Sequence, residues 1–168
     1  MPQSKALEVI FWDGRSKDSP RGISLWIEPI VTIAAMARLH FDYGWPLNCL
    51  GMQSEHWAFD LMAYHPQGTG RAHIAGEVKS NRRQLDQLMN GLRSCCAQGN
   101  HDCSTAPDTA RNAHKKWEGL QIQKAPLFWA LGPGNNSRLF KVSYGPDSRI
   151  SLSETDTTLL SFSTAIET

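Results

Sequence analysis

The sequence predicts an α/β domain in which helices pack against a mixed central β-sheet. Apolar residues recur at three- and four-residue steps through residues 83–97, which is typical of an amphipathic helix. Residues 58–64 and 71–79 have strand-like composition and are separated by a glycine-rich turn, which predicts a β-hairpin. Residues 127–131 and 139–144 repeat that pattern around a second glycine-rich turn. Helical and strand signals therefore alternate along one chain, which favours the α/β class.

Length and composition indicate one domain with a core of its own. The chain has 168 residues, of which 40% are hydrophobic. We expect a single domain with an N-terminal arm (residues 1–22), a core (25–144) and a C-terminal tail (151–168). Seventeen basic and sixteen acidic residues give a net charge of +1. This balance argues against a histone-like nucleic-acid binder and against an acidic disordered chain, but it allows a local basic groove.

The distribution of apolar residues gives no sign of export or of a membrane anchor. The chain does not open with a charged segment followed by an apolar run, so no secretory signal is expected. Residues 30–37 are its longest apolar stretch, far short of the roughly 20 residues that a membrane span needs. Four cysteines are too few for a disulfide scaffold. We therefore expect a cytoplasmic protein with reduced thiols and no membrane partner.

The first half of the chain reads as an arm, a helix and three strands. Residues 6–12 form a short apolar run, and residues 25–40 are the first convincing helix, with Pro29 near its start. Its apolar residues at helical spacing are Ile30, Ile33, Ala34, Ala37 and Phe41. Residues 48–53 are a first short strand, which with the hairpin makes a three-stranded meander.

The second half adds two helices, two strands and a short terminal helix. The apolar stripe of the helix at residues 83–97 consists of Leu85, Leu88, Met89, Leu92 and Cys96. A second helix is predicted at residues 106–118, with Gly119 at its end. Ser153 and Asp156 resemble a capping box, which predicts a short C-terminal helix.

Acidic and basic residues on the hairpin form the constellation most suggestive of chemistry. If the two strands pair, Asp60 lies beside Glu77, and strand alternation puts Lys79 on the same side. Two carboxylates with an adjacent lysine suit a hard divalent cation and a phosphate. By the same alternation His73 and Ala75 share the side of Glu77, and the opposite side carries Ala72, Ile74, Gly76 and Val78. An ordinary solvated ion pair on a strand is the alternative.

Basic residues after the hairpin add a candidate phosphate-contacting surface. Arg82 and Arg83 follow Lys79 closely, where the third strand leads into the long helix. The second helix carries a further basic group, Arg111, Lys115 and Lys116, for which a solvated helix face is the favoured interpretation.

Cysteine and histidine residues near the middle of the chain allow a weaker alternative. Cys95, Cys96, His101 and Cys103 could be read as a zinc site, but the spacing lacks the paired ligands that such sites carry. Cys96 also fits the apolar stripe, as a small buried side chain. A nucleophilic cysteine paired with His101 or His114 has less support still.

The order of helix, meander, helix and strand resembles the PD-(D/E)XK nuclease superfamily, the restriction-endonuclease-like fold with αβββαβ order. The resemblance covers roughly residues 25–144. It implies that Asp60 and Glu77 bind metal, that the main-chain carbonyl of Val78 is a further ligand, and that Lys79 is the catalytic lysine.

The resemblance also implies accessory residues. An acidic residue in the first helix is common in the family, and Glu28 is the candidate here. A glutamine often follows the lysine in the next helix, and Gln84 and Gln87 are the candidates. Phe59 stands before Asp60, so the proline of the family's name is absent, as in many members. Stabilisation of Glu28 by the helix N-terminus, and simple solvation of the glutamines, are the alternatives.

The resemblance implies a Mg²⁺- or Mn²⁺-dependent nuclease that hydrolyses phosphodiester bonds in DNA or RNA. A homodimer or a larger complex is a further expectation, since many nucleases of this fold work in that way. Two alternatives stay open. One is a restriction-endonuclease-like module without catalysis that binds nucleic acid or a protein. The other is an unrelated α/β domain with a Glu-x-Lys sequence on its surface.

Overall fold

The computed structural model describes residues 3–7, 22–54, 58–65, 70–99 and 106–166. These residues form eight strands and four α-helices, with short 3₁₀ turns between some of them. In chain order the elements are β1 (Gln3–Leu7), β2 (Gly22–Trp26), α1 (Ile27–Phe41), β3 (Leu50–Met52), β4 (Leu61–Tyr64), β5 (Ala72–Val78), α2 (Arg82–Gln98), α3 (Asp108–Gln123), β6 (Leu127–Leu131), β7 (Ser137–Tyr144), β8 (Ile150–Thr155) and α4 (Phe162–Ile166). The predicted α/β class is confirmed.

A six-stranded mixed sheet is the centre of the fold. Its strands lie side by side in chain order, from β3 to β8. The pairs are antiparallel except for β5 and β6, which run parallel. Parallel neighbours need a long crossover connection, and α2 and α3 lie within this one. The predicted meander and the later hairpin are both present, while β1 and β2 pair in a separate two-stranded sheet.

Alternate residues of the central strands enter two different apolar cores. Phe128 and Ala130 of β6 pack in the core that contains the apolar residues of α2 and α3. Trp129 and Leu131 pack in the other core, together with Leu39 of α1. Helices therefore cover both faces of the sheet, and β5 is buried along its whole length.

The apolar stripe of α1 is not its buried face. Ile30, Ile33 and Phe41 are all exposed, the last of them by 79%. The buried residues of the helix are Thr32, Ala35 and Leu39. Burial of Thr32 is tolerated because its hydroxyl donates to the Glu28 carbonyl at 2.9 Å. Ala35 and Leu39 pack in the core on that side of the sheet, so a different face of the helix from the predicted one is buried.

Helix α3 continues beyond its predicted end. It runs to Gln123, and Lys124 ends it with a φ of 51°. Gly119 lies inside the helix. A Cβ at this position would be 2.7 Å from both Ala58 Cβ and Phe59 Cε2, so a residue without a side chain is needed there. The glycine serves close packing against the segment that leads into β4, so its reading as a helix end was wrong.

A bulge in β5 places two neighbouring residues, Ala72 and His73, on the opposite faces of the sheet from those predicted. Tyr64 pairs with Ala72, but the residue before it pairs with Ile74, so His73 is an extra residue. Ala72 consequently packs on the α2–α3 face. His73 lies on the other face, with its ring centroid 5.8 Å from that of Trp45. The predicted sides of His73 and Ala72 were wrong, because regular alternation does not hold across a bulge.

The C-terminal region contributes to the sheet as well as to a short helix. Residues 150–155 form the edge strand β8 in the region where the capping box predicted the start of a helix. A short C-terminal helix is present further along the chain, as α4. The capping box is not formed, since Ser153 lies in β8. Asp156 instead caps a 3₁₀ turn by accepting from the Thr158 N–H at 2.7 Å.

Three sequence predictions fall wholly or mostly on residues outside the described ranges. They concern the apolar run at residues 6–12, the glycine-rich turn between β4 and β5, and the candidate zinc ligands His101 and Cys103. Across the ranges that are described, no helix is both long and apolar enough to cross a membrane.

We expect Gly119→Ala to destabilise the protein, although alanine normally favours a helix. The added methyl would overlap Ala58 and Phe59, and such overpacking costs about 1–3 kcal/mol of unfolding free energy. Urea unfolding of the parent and the variant measures this difference in unfolding free energy. Glu118→Ala, at the exposed neighbouring position, should stay within about 0.5 kcal/mol of the parent. A Gly119→Ala protein at least as stable as the parent would contradict the close packing.

Stability should fall in mild acid because of His73. Burial, with a smaller contribution from His65, lowers the pKa of His73 below its ordinary value of 6.5. The unfolded chain then binds a proton at higher pH than the folded chain does. The neutral His73 therefore favours the folded state fully at a pH above its ordinary pKa. That contribution to the unfolding free energy is lost as the pH falls toward the lowered pKa of the folded protein. Thermal unfolding of His73→Phe between about pH 5 and 7 should show a shallower pH dependence than the parent. Equal slopes would contradict the assignment.

Candidate active site

Asp60 and Glu77 are brought together by the pairing of β4 and β5. Leu61 pairs with Gly76 at the end of the regular antiparallel register. The Asp60 N–H also donates to the Gly76 carbonyl, at 3.0 Å, so two successive residues meet Gly76 and the ladder is irregular here. Glu77 is the next residue of β5, and Asp60 lies close enough for its charge to raise the pKa of Glu77. Asp60 itself immediately precedes β4 and does not lie within it, which corrects the predicted strand boundary.

A backbone hydrogen bond fixes the Asp60 carboxylate. Its Oδ2 accepts from the Val78 N–H at 2.8 Å. Val78 is the last residue of β5, so the carboxylate is tied to the end of that strand. The residue is partly accessible, in contrast to Glu77.

Glu77 is a buried carboxylate held by two lysines. It is 1% exposed. Its Oε1 accepts from Lys79 Nζ at 2.6 Å, and its Oε2 lies 2.8 Å from Lys116 Nζ. Apart from that ion pair, Oε2 has no hydrogen-bond partner among the described residues.

The charges around Glu77 oppose the effect of burial. Burial holds the pKa of Glu77 above its ordinary value, against the opposite pull of Lys116 and Lys79. Burial alone would lower the pKa of Lys79. The negative charges of Glu77, and to a smaller degree of Asp60 and Glu28, have a larger opposite effect, so the pKa of Lys79 is raised. Lys79 is therefore a cation at neutral pH, held against Glu77.

Glu28 connects the first turn of α1 to the end of β5. Its Oε1 accepts from the Ser80 N–H at 3.1 Å. This bond holds the residue that follows Lys79, so Glu28 supports the lysine through the backbone. Its position in the first turn of a helix also stabilises the carboxylate. The accessory role that the resemblance implies for Glu28 stays a prediction.

The predicted glutamines lie on the first turns of α2. Asn81 caps that helix by accepting from the Gln84 N–H at 2.9 Å. Gln84 Oε1 accepts from the Ser80 hydroxyl at 2.5 Å, so its amide is held in place. Gln87 follows by about one turn and is exposed.

A polar cleft of about 220 Å³ opens beside Lys79. It is lined by Glu28, Lys79, Gln84, Gln87, Leu88, Thr109 and Asn112. The structure thus gathers the lysine and all three predicted accessory residues around one opening. Asp60 and Glu77 are not among the lining residues, and the lysine lies between Glu77 and the cleft.

Arg82 and Arg83 do not line the cleft. Both are exposed on the first turn of α2, where Arg82 Nε lies 3.7 Å from Asp86 Oδ2. On the second helix, Arg111 pairs with Asp108 at the surface.

Lys116 is a site residue that the sequence analysis missed. It is 5% exposed and is paired with Glu77, so the expectation of a solvated position was wrong. A signal was present in its spacing. Ala113, Lys116 and Leu120 are separated by three and four residues, which places the lysine on the buried face of α3.

The zinc interpretation gains nothing from the described residues. Cys95 and Cys96 are buried among apolar side chains, and His101 and Cys103 lie outside the described ranges. Burial, followed by the neighbouring Cys95, raises the pKa of Cys96 to about 12. The thiolate, which is the ligand form, is therefore strongly disfavoured at neutral pH.

Two carboxylates are what the described residues offer to a hard cation. Asp60 and Glu77 supply the oxygen ligands that Mg²⁺ prefers, and Glu77 Oε2 already faces a positive group. In the described part of the chain no group of three or more histidine, cysteine, aspartate or glutamate residues is arranged to hold a metal. The donor set fits a cation that keeps several waters.

Comparisons with known proteins give no match for this chain. No protein-family model, no curated protein and no solved structure matches it.

We expect Cys96 to resist alkylation in the folded protein. The thiol is 3% exposed and its pKa is raised, so neither access nor thiolate is available. Peptide mass mapping after iodoacetamide treatment, with and without guanidinium, measures each cysteine separately. Rapid labelling of Cys96 in the folded protein would contradict its placement in the core.

Proposed function

We propose that the protein is a Mg²⁺- or Mn²⁺-dependent nuclease of the PD-(D/E)XK type that hydrolyses phosphodiester bonds in DNA or RNA. One observation carries the proposal. Asp60 is tied to the end of β5 next to the buried Glu77, and Lys79 contacts Glu77 and lines a polar cleft. A pair of carboxylates with a lysine at the edge of a cleft is suited to phosphodiester chemistry.

The order and pairing of the elements support the same proposal. The chain runs from helix α1 through the antiparallel meander β3–β4–β5 to helix α2. After α3 it continues into β6, which pairs parallel to β5. This is the αβββαβ order of the restriction-endonuclease-like fold. In this reading β7 and β8 extend the sheet beyond the core, and α3 is an added helix of the crossover.

The residues divide the chemical work between them. Asp60, Glu77 and the Val78 carbonyl would hold the cation, which would polarise the phosphate and neutralise its charge. Lys79 would orient the attacking water or donate a hydrogen bond to the oxygen on which negative charge develops. Glu28 would keep the lysine in position through its bond to the Ser80 N–H.

The lining of the cleft suggests how a nucleic acid would be held. Gln84, Gln87, Thr109 and Asn112 offer amides and a hydroxyl for sugar, base or phosphate oxygens. Arg82 and Arg83 would contact phosphates outside the cleft. With a net charge of +1, binding would depend on few phosphate contacts and fall only gently with salt. The homodimer or larger complex stays a prediction.

A second candidate function has one observation in its favour. Both oxygens of Glu77 already face ammonium groups, so the carboxylate is compensated without a cation. A non-catalytic module of the same fold, which binds nucleic acid or a protein, would show this arrangement too.

Cleavage assays with paired variants test the nuclease proposal. We expect Mg²⁺ or Mn²⁺ to support cleavage of DNA or RNA, and EDTA to stop it. Asp60→Asn and Lys79→Ala should each lower the rate about a hundredfold or more, since they remove a cation ligand and a transition-state donor. Asp86→Asn and Lys115→Ala, at exposed positions outside the cleft, are the matched controls.

The two candidate functions give different results in this assay. Cleavage that survives EDTA, or that survives both site substitutions, would rule out the proposed mechanism. Binding of a nucleic acid without any cleavage would favour the non-catalytic module.

A further inference from the structure

Lys116 makes a buried contact that the proposed mechanism leaves without a role. Its side chain is 6% exposed, and its Nζ lies 2.8 Å from Glu77 Oε2. The face of the Phe59 ring provides a weaker contact, with its centroid 5.9 Å from Nζ. A buried ammonium group is costly unless it is paired, so the ion pair with Glu77 is what makes this burial tolerable.

The lysine stands where a cation at Glu77 would have to bind. Oε1 is taken by Lys79 at 2.6 Å, which leaves Oε2 as the oxygen open to another positive group. Two positive charges this close repel strongly at a protein surface, and a divalent ion doubles one of the charges. Lys116 Nζ and a divalent cation therefore compete for the same oxygen.

The helix that carries Lys116 also contributes to the lining of the polar cleft. A lysine side chain is a flexible four-carbon stem, so the head can swing without a shift of α3. Asn112 lies four residues earlier, on the same face of the helix, and it lines the polar cleft. In a displacement toward the cleft, water or a phosphate would replace Glu77 as the partner of the ammonium group.

We propose that Lys116 is a positioning residue that occupies the cation position at Glu77, and that a divalent cation binds there by displacing its ammonium group toward the cleft. The proposal rests on the proposed function in taking Mg²⁺ or Mn²⁺ as the cation. It adds that cation binding is an exchange of one positive group for another.

Calorimetric titration with Mn²⁺ is the first test. We expect Lys116→Met, which keeps the length of the side chain and removes its charge, to bind Mn²⁺ about fivefold or more tightly than the parent, as removal of an internal competitor requires. Lys115→Met, the exposed neighbour, should bind as the parent does. Unchanged or weaker binding by Lys116→Met overturns the exchange, and so does an absence of Mn²⁺ binding in all three proteins.

Reductive methylation of the unaltered protein is a second test that needs no variant to fold. Lys116 should be protected without a cation and should react at least about fivefold faster when Mg²⁺ is added, since displacement exposes it. Lys115 should react at the same rate in both conditions. Continued protection of Lys116 at a Mg²⁺ concentration that saturates binding overturns the proposal.

Cleavage measured on the same preparations separates this proposal from the nuclease proposal. A cation-dependent exposure of Lys116 without any cleavage supports the exchange and contradicts the nuclease. Cation-dependent cleavage without any change at Lys116 contradicts the exchange and leaves the nuclease supported.

Discussion

A fully buried carboxylate between two ammonium groups is the interaction on which the rest of this structure depends. Moving an ion such as the Glu77 carboxylate out of water costs several kcal/mol, and only close, well-placed partners offset that cost. Lys79 supplies one partner from the same strand, and Lys116 supplies the other from α3. The pairing therefore fixes where α3 must lie relative to β5.

The packing of α3 follows from that requirement. When Lys116 points at Glu77, Gly119 comes next to Ala58 and Phe59, where only a residue without a side chain fits. The same approach brings the Phe59 ring under the lysine. Phe59 directly precedes Asp60, so one helix supports both carboxylates of the candidate site. The electrostatics of Glu77 and the shape of the neighbouring core are thus parts of one arrangement.

Local sequence signals predicted the elements well wherever one face of an element meets the core. All five residues of the α2 stripe are buried, and β6 has the predicted bounds, because apolar spacing reflects that single face. The order of strands in the meander followed from turn composition. The proximity of Asp60 to Glu77 then needed only the pairing of adjacent strands, which is why the carboxylate pair could be anticipated.

Features that depend on partners distant in sequence were not predictable in this way. Helix α1 packs Ala35 and Leu39 into the core, so its apolar stripe is exposed and Thr32 is buried. The bulge at His73 depends on how two strands pair, and it leaves no mark on the alternation of one strand. Burial of Lys116 on α3 is favourable only because its ammonium group pairs with Glu77 of β5. In each case a tertiary contact overrides a local preference.

The parallel pairing of β5 with β6 has a consequence for how the molecule comes to be folded. Hairpins close between near neighbours, but this pair cannot form until the whole crossover of α2 and α3 has been made. Glu77 lies on one side of that crossover and Lys116 within its second helix. A chain still emerging from the ribosome can complete the meander early, yet its key glutamate has no partner from α3 until that helix docks. The polar centre of the molecule is therefore assembled late, as a product of the finished fold.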